Sequence, residues 1–177
     1  MMAIELQPGD VFCVDGNMFL ISRLIRWAEI VVSQDNAAHY GHAGIITSSD
    51  GDTLEALWTV KRSTLAAYSG QQIIIARPMV PDSMEHGLGL MRKHQAMAAC
   101  SDHLGRWYPA WRLIMHLAPP LAKYLSTGRN LVCSELVAKY LTLIGARSGP
   151  YTGINPDTLA DMWIAWRNFD VIYEGVW

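Results

Sequence analysis

The sequence lacks the charge pattern of a nucleic-acid-binding protein. Its 177 residues carry 14 Lys and Arg against 16 Asp and Glu, a net charge of -2, and contain no long basic run. Nucleic-acid binding needs a positive surface that neutralises phosphates, so we set that class of partner aside. Only 17% of residues are charged and 51% are hydrophobic, which excludes a disordered chain and predicts one globular domain over residues 1–177.

Cysteine is scarce, and metal-ligand spacings are absent. Cys13, Cys100 and Cys133 are an odd number at wide spacings without a C-x-x-C pair, so neither a disulfide framework nor a zinc site is indicated. The six histidines form no H-E-x-x-H motif. We therefore predict reduced thiols, no metal and no cofactor.

Targeting and membrane-spanning signals are also missing. The first ten residues contain no basic segment followed by an apolar one, so no secretory signal peptide is visible. The longest apolar stretch, residues 18–32, is interrupted by charges and is shorter than the roughly 20 apolar residues that cross a bilayer. We predict synthesis in the cytoplasm and no transmembrane segment. A target outside the cytoplasm would require non-classical export, by a phage particle or a dedicated secretion system.

Strands are predicted mainly in the first half of the chain. Apolar or β-branched segments bounded by turn residues indicate strands at 11–14, 42–47, 53–60 and 71–77, with a last short one at 169–173.

Helices are predicted mainly in the second half, which gives an α+β fold class. The predicted helices cover 17–33, 83–104 and 131–144, and a further one starts at 155–157. Gly145 closes the third, and Asn155 is the predicted N-cap of the fourth. Residues 107–125 are aromatic, aliphatic and interrupted by proline. They indicate either a lid or groove wall, or an ordinary packed helical hairpin.

Cys133 lies where a helix begins. Asn130 is a plausible N-cap and would place Cys133 in the first turn, among backbone N–H groups without helical partners. Partial positive charge there favours a thiolate, and the same N–H groups can bind the oxyanion formed when a thiolate attacks a carbonyl. The alternative is a small buried core residue. Cys13, in an apolar strand, and Cys100, in a helix, are interpreted as structural.

His42 is the predicted base for this thiol. It opens a strand in Tyr40–Gly44, where flanking glycines leave room for a substrate or a helix end. An imidazole can accept the thiol proton and return it to a leaving group. His39 is near enough in sequence to substitute. The remaining histidines are interpreted as surface or packing residues: His86, His94, His103 and His116.

Glu55 is an acid within an otherwise apolar strand and is the candidate that orients the imidazole. The alternative is a solvent-facing strand position. A tight turn at Asp50–Gly51 would pair Glu55 with Ile46, about four residues or roughly 13 Å from His42. A catalytic Glu55 therefore predicts an asymmetric or bulged loop.

The order of these residues resembles the circularly permuted NlpC-type papain-like cysteine hydrolases, in their YiiX-like branch. The resemblance covers nearly the whole chain and rests on five fragments: Leu6–Val11, Tyr40–Ile45, Leu54–Leu57, Val132–Val137 and Asn155–Leu159. It implies a papain-like fold in which a small antiparallel sheet packs against the nucleophile helix, with additional helices. An aromatic residue before that helix is matched by Tyr108, a secondary candidate together with His39 and Asp10. The apolar segment 109–129 is longer than the family pattern.

The resemblance implies acyl transfer by Cys133, His42 and Glu55 through an acyl-enzyme. The implied substrate is an amide or peptide bond in bacterial cell-wall peptidoglycan. Secretion machinery, a phage particle or an immunity protein are the partners that such an enzyme would have.

Two other functions stay open. Permuted relatives include lipid acyltransferases and thioesterases such as lecithin:retinol acyltransferase, and a phospholipase would use the same residues. The apolar stretches 18–32 and 111–125 would suit an acyl chain at a membrane surface. A non-catalytic binding module that retains the fold is the remaining alternative, for which ordinary reactivity of the Cys133 thiol is predicted.

Overall fold

The computed structural model describes residues 4–15, 39–79, 86–107 and 131–177, without the side chains of 86–88. Within these ranges the chain forms a six-stranded antiparallel sheet, a 3-10 helix and three α-helices. The predicted α+β class is confirmed. The predicted helix at 17–33, the secondary candidate Tyr108 and almost all of 107–125 lie outside the described residues.

The strands follow one another in the first half of the chain, except for the last. They are β1 Val11–Val14, β2 His42–Ile46, β3 Asp52–Ala56, β4 Val60–Thr64, β5 Gln72–Pro78 and β6 Phe169–Val176. The order in the sheet is β4-β3-β2-β1-β5-β6, and each neighbouring pair is antiparallel. The helices are the 3-10 helix Leu65–Tyr68, α1 His86–Ser101, α2 Cys133–Leu143 and α3 Pro156–Ala165.

The central strands are apolar on both sides because each face of the sheet is covered. Alternate residues of β1, such as Val11 and Cys13, belong to a core shared with α2 and α3. The residues between them, Phe12 and Val14, belong to a second core with Tyr68 of the 3-10 helix. Consecutive hydrophobic residues in this sequence therefore indicate strands that are buried on both faces of the sheet.

The predicted strand 53–60 is wrong in extent, because it is two elements. β3 ends at Ala56, the chain turns, and β4 begins at Val60 and pairs back onto β3. β4 is one of the two edge strands of the sheet, and after Val60 none of its residues is buried. An edge strand with polar side chains gives little apolar signal, which is why the pattern predicted no separate strand.

The helix that carries Cys133 starts two residues later than predicted. Its N-cap is Val132 and not Asn130, so Cys133 occupies the first helical position. Val132 has no side-chain acceptor, and the Glu135 carboxylate accepts the Val132 N–H instead, at 3.2 Å. The helix closes before Gly145, which has a φ of 81°, as predicted. Its apolar stripe is buried: Cys133, Leu136, Val137, Tyr140, Leu141 and Ile144.

The predicted start of α3 is confirmed. The Asn155 side chain accepts the Thr158 N–H at 2.6 Å, and proline occupies the first turn. Asp157, also in the first turn, accepts backbone N–H groups of His39 and Tyr40 at 2.9 and 3.3 Å. The residues that lead into β2 are thereby tied to α3. None of the described helices has the length and hydropathy needed to cross a membrane.

Candidate active site

Two of the predicted site residues meet where β2 and α2 begin. His42 is the first residue of β2 and Cys133 the first of α2, and these two elements pack against each other. The Cys133 side chain is near enough to the His42 ring to act on its pKa, both as a hydrogen-bonding partner and as a negative charge. Both residues are buried, with 3% and 4% of their surface exposed. The fold therefore places a thiol at a helix start against an imidazole from a distant strand.

Glu55 contacts the other side of the imidazole. His42 Nε2 lies 3.1 Å from Glu55 Oε2, so Nδ1 is the ring nitrogen left for the sulfur. The strand register places Glu55 directly opposite Gly44, and the backbone hydrogen bond between Thr47 and Asp52 closes a regular loop. The predicted asymmetric or bulged loop is wrong. Diagonal neighbours on one face of a sheet are within reach of long side chains, so no irregularity is needed.

The Glu55 carboxylate is fully buried and has three side-chain donors. The Thr53 hydroxyl donates to Oε1, and the Tyr68 hydroxyl donates to Oε2, which also faces His42. The alternative of a solvent-facing Glu55 is wrong, because its exposed fraction is 0%. Burial alone would raise the pKa of Glu55, but its hydrogen bonds to His42, Thr53 and Tyr68, together with the His42 charge, lower it.

His42 is more basic than an ordinary histidine. Burial opposes its charged form, yet hydrogen bonds to Cys133 and Glu55 and the negative charges of both outweigh it and raise the pKa of His42 to about 9. At neutral pH the ring is thus held as an imidazolium between a carboxylate and a sulfur.

Packing around the carboxylate fixes the orientation of the imidazole. The His42 ring lies 5.9 Å from the Tyr68 ring and 6.4 Å from the Phe12 ring, centroid to centroid. Gly44 provides the space for this cluster. A Cβ at position 44 would lie 2.5 Å from a Phe12 ring carbon, closer than side chains approach one another, and 3.0 Å from Glu55 Cγ, which is tighter than most such contacts.

The first turn of α2 is fixed by contacts with the segment before α3. Glu135, which is 1% exposed, accepts the Gly153 N–H at 3.0 Å besides that of Val132. The Ser134 hydroxyl donates to the Ile154 carbonyl at 2.6 Å. Backbone N–H groups of a first helical turn have no helical acceptor, so this rigid turn could bind an oxyanion formed beside Cys133.

Sequence reasoning missed four residues that support the site: Thr53, Tyr68, Ser134 and Glu135. Glu135 had a local signal, since a glutamate at the third helical position commonly caps the helix start. Tyr68 had none, because its element is a single 3-10 turn that follows an edge strand.

The secondary candidates Asp10 and His39 lie apart from this cluster. Asp10 accepts two hydrogen bonds from Arg77, each 2.9 Å, and precedes β1 near the far end of β2. Four strand residues, roughly 13 Å, separate that end from His42. His39 is exposed, and its backbone N–H binds Asp157.

The other two cysteines have environments unlike that of Cys133. Both are 0% exposed, and their sulfurs contact backbone carbonyls, Cys13 that of Pro156 at 3.4 Å and Cys100 that of Leu136 at 3.9 Å. Burial raises the pKa of the Cys100 thiol to about 12. Among the described residues, no three His, Cys, Asp or Glu side chains form a group that could hold a metal ion.

Comparison of the chain with protein-family models and with curated proteins finds no match in either.

Proposed function

We propose that this protein is a cysteine hydrolase with a papain-like fold, in which Cys133 is the nucleophile, His42 the general base and Glu55 the group that orients His42. The placement of Cys133 beside His42, where α2 packs against β2, and the hydrogen bond between His42 and Glu55 carry the proposal. A nucleophile, a base and an orienting acid brought together from separate elements are the constellation that acyl transfer requires. The antiparallel sheet packed against α2 supports the fold assignment.

The contrast with the other cysteines supports catalysis over core packing. The sulfurs of Cys13 and Cys100 contact backbone carbonyls, as a structural cysteine can. Cys133 instead contacts an imidazole whose pKa is raised to about 9. An adjacent imidazolium stabilises a thiolate, which is the nucleophilic form of cysteine.

The reaction has two steps in which the same imidazole moves a proton. The Cys133 thiolate attacks the amide carbonyl carbon, and backbone N–H groups at the start of α2 stabilise the oxyanion. The C–N bond breaks as His42 gives its proton to the departing amine, which leaves a thioester on Cys133. His42 then takes a proton from water, the hydroxide attacks the thioester, and the acid and the thiolate are released.

We assign the substrate to the peptides of bacterial peptidoglycan. The support for this choice is the order of the sequence fragments around Cys133, His42 and Glu55, which resembles permuted NlpC-type hydrolases.

The test is digestion of purified peptidoglycan, with soluble products and new amino termini identified by mass spectrometry. We expect wild-type protein to release stem-peptide fragments and Cys133→Ala to release none. Cys100→Ala is the matched control, because it removes a buried thiol that does not contact His42, and it should remain active.

A parallel incubation with phospholipid vesicles or an acyl thioester tests the choice of substrate. Cys133-dependent release from these compounds, with none from peptidoglycan, would replace the cell-wall assignment and leave the cysteine chemistry in place. Release from neither, in a folded protein whose Cys133 has ordinary thiol reactivity, would refute the proposed function.

A further inference from the structure

We infer that Tyr68 and Thr53 are positioning residues that keep Glu55 ionised and directed at His42. This inference rests on the proposed function and extends its site from three residues to five. Both hydroxyls donate to the Glu55 carboxylate, and within the part of the chain that the structure describes neither is hydrogen-bonded to Cys133 or His42.

The arrangement of donors around Glu55 carries the inference. Oε1 accepts the Thr53 hydroxyl, and Oε2 accepts the Tyr68 hydroxyl together with His42 Nε2. These donors come from β3, the 3-10 helix and β2. A carboxylate with no exposed surface would become protonated unless donors replaced its water. His42 and the two hydroxyls together supply that replacement, and the hydroxyls fix the plane of the carboxylate.

The chemical nature of these donors matters as well. A hydroxyl stabilises the Glu55 charge without cancelling it, whereas Arg or Lys would compete with His42 for the carboxylate. In the described part of the chain, the ion pair of Glu55 is formed with His42. The full carboxylate charge thus remains available to hold the imidazolium.

The Tyr68 ring is held independently of its hydroxyl. It packs 5.7 Å from the Phe12 ring and 5.9 Å from the His42 ring, centroid to centroid. The 3-10 helix is anchored by the Leu65 N–H, which donates to the Gly51 carbonyl at 2.8 Å. Tyr68→Phe should therefore keep the packing and remove one hydrogen bond. Thr53→Val makes the equivalent change at Oε1.

The direct experiment is a carboxyl carbon NMR titration of Glu55, assigned by the signal that Glu55→Gln removes. In wild type we expect Glu55 to stay ionised to a lower pH than an ordinary glutamate. We expect Tyr68→Phe and Thr53→Val each to raise the Glu55 pKa by about 1–2 units, the equivalent of one hydrogen bond to a charged group. Two variants are used so that a structural disturbance caused by one substitution alone cannot explain the result.

Tyr140→Phe is the matched control. Its hydroxyl is buried, has no hydrogen-bond partner among the described residues and does not contact Glu55, so the Glu55 titration should be unchanged. Glu55 titrations of Tyr68→Phe and Thr53→Val that superimpose on wild type would overturn the inference.

Turnover gives a second readout that a purely structural role would not reproduce. Because Tyr68 and Thr53 act through Glu55, their variants should lower kcat with little change in KM, and neither should lower it further in a Glu55→Gln background. A further loss in that background would contradict positioning through Glu55. The NMR titration does not require catalytic activity. It therefore tests the role of Tyr68 and Thr53 even if the protein proves not to be a hydrolase.

Discussion

Two buried carboxylates beside β2 have different partners: Asp10 lies near the Ile46 end of the strand, and the Glu55 carboxylate reaches His42 at its start. Asp10, 1% exposed, is paired with Arg77 and accepts the Gln7 N–H at 2.8 Å. Glu55, 0% exposed, is paired with His42 and accepts two hydroxyl groups. Both therefore have several donors, and both are paired with a cation. The difference is whether that cation can release its proton.

Arginine keeps its charge at any physiological pH, so the pair of Asp10 and Arg77 can only hold the chain together. Histidine can change its charge, and the pair formed by Glu55 and His42 also contacts the sulfur of Cys133. The comparison teaches that a buried acid becomes chemically useful through a titratable partner beside a nucleophile.

The largest effect is expected when the titratable partner is removed. His42→Gln should reduce hydrolysis by about 10²–10⁴-fold, because the proton has no carrier, while circular dichroism shows a folded protein. His39→Gln is the control, since His39 is exposed and its backbone makes the observed contact. Comparable activity in His42→Gln and wild type would remove His42 from the mechanism.

Removing the permanent cation should damage stability instead of chemistry. Arg77→Met leaves the Asp10 charge buried, and we expect a loss of about 2–3 kcal/mol in the free energy of unfolding, measured with urea. This is below the 3–5 kcal/mol typical of fully buried pairs, because 24% of the Arg77 side chain is exposed. Under conditions where the variant is folded, alkylation of Cys133 should proceed as in wild type. Slower alkylation there would show that the two ends of β2 are coupled.

Filling the space beside Glu55 should affect both stability and the site. Gly44→Ala would press on Phe12 and Glu55, and we expect a loss of about 1–3 kcal/mol in the free energy of unfolding, with reduced activity. Adding Phe12→Leu removes the ring atoms that clash and should recover part of the stability. No recovery in the double variant would mean that the clash with Phe12 is not the cause.

The smallest effect is expected in the native protein, where only the pH is changed. His42 should lose its proton near pH 9, not near its ordinary value of 6.5, when followed by imidazole NMR signals. Because the folded-state pKa is raised, the stability that His42 contributes is fully present below pH 6.5 and is lost as the pH rises through about 9. A midpoint near 6.5 would show that neither Glu55 nor Cys133 stabilises the protonated His42 ring.

Much of this architecture could be predicted because it is encoded locally. The buried strand β1 is a short apolar run between turns, and Asn155–Asp157 carries the signals of a helix start. Cys133 and His42 could be selected because a helix start and flanking glycines are visible in the sequence. The structure places both residues, buried, at the starts of two elements that pack together.

The remaining features depend on contacts between distant residues. The diagonal contact of His42 with Glu55 follows from a strand register that the turn residues did not determine. Tyr68 reaches Glu55 only because the 3-10 helix after β4 returns across one face of the sheet. A tyrosine in a short irregular element has no periodicity that would reveal such a role.

The most direct test of the central claim is the rate at which iodoacetamide alkylates Cys133 at pH 6–7, followed by mass spectrometry of the peptide that contains it. Cys13 and Cys100 are internal standards for buried thiols in the same protein. If His42 sustains a thiolate, Cys133 should react fastest of the three, and His42→Gln should slow it about tenfold or more. Equal rates in His42→Gln and wild type would contradict the account.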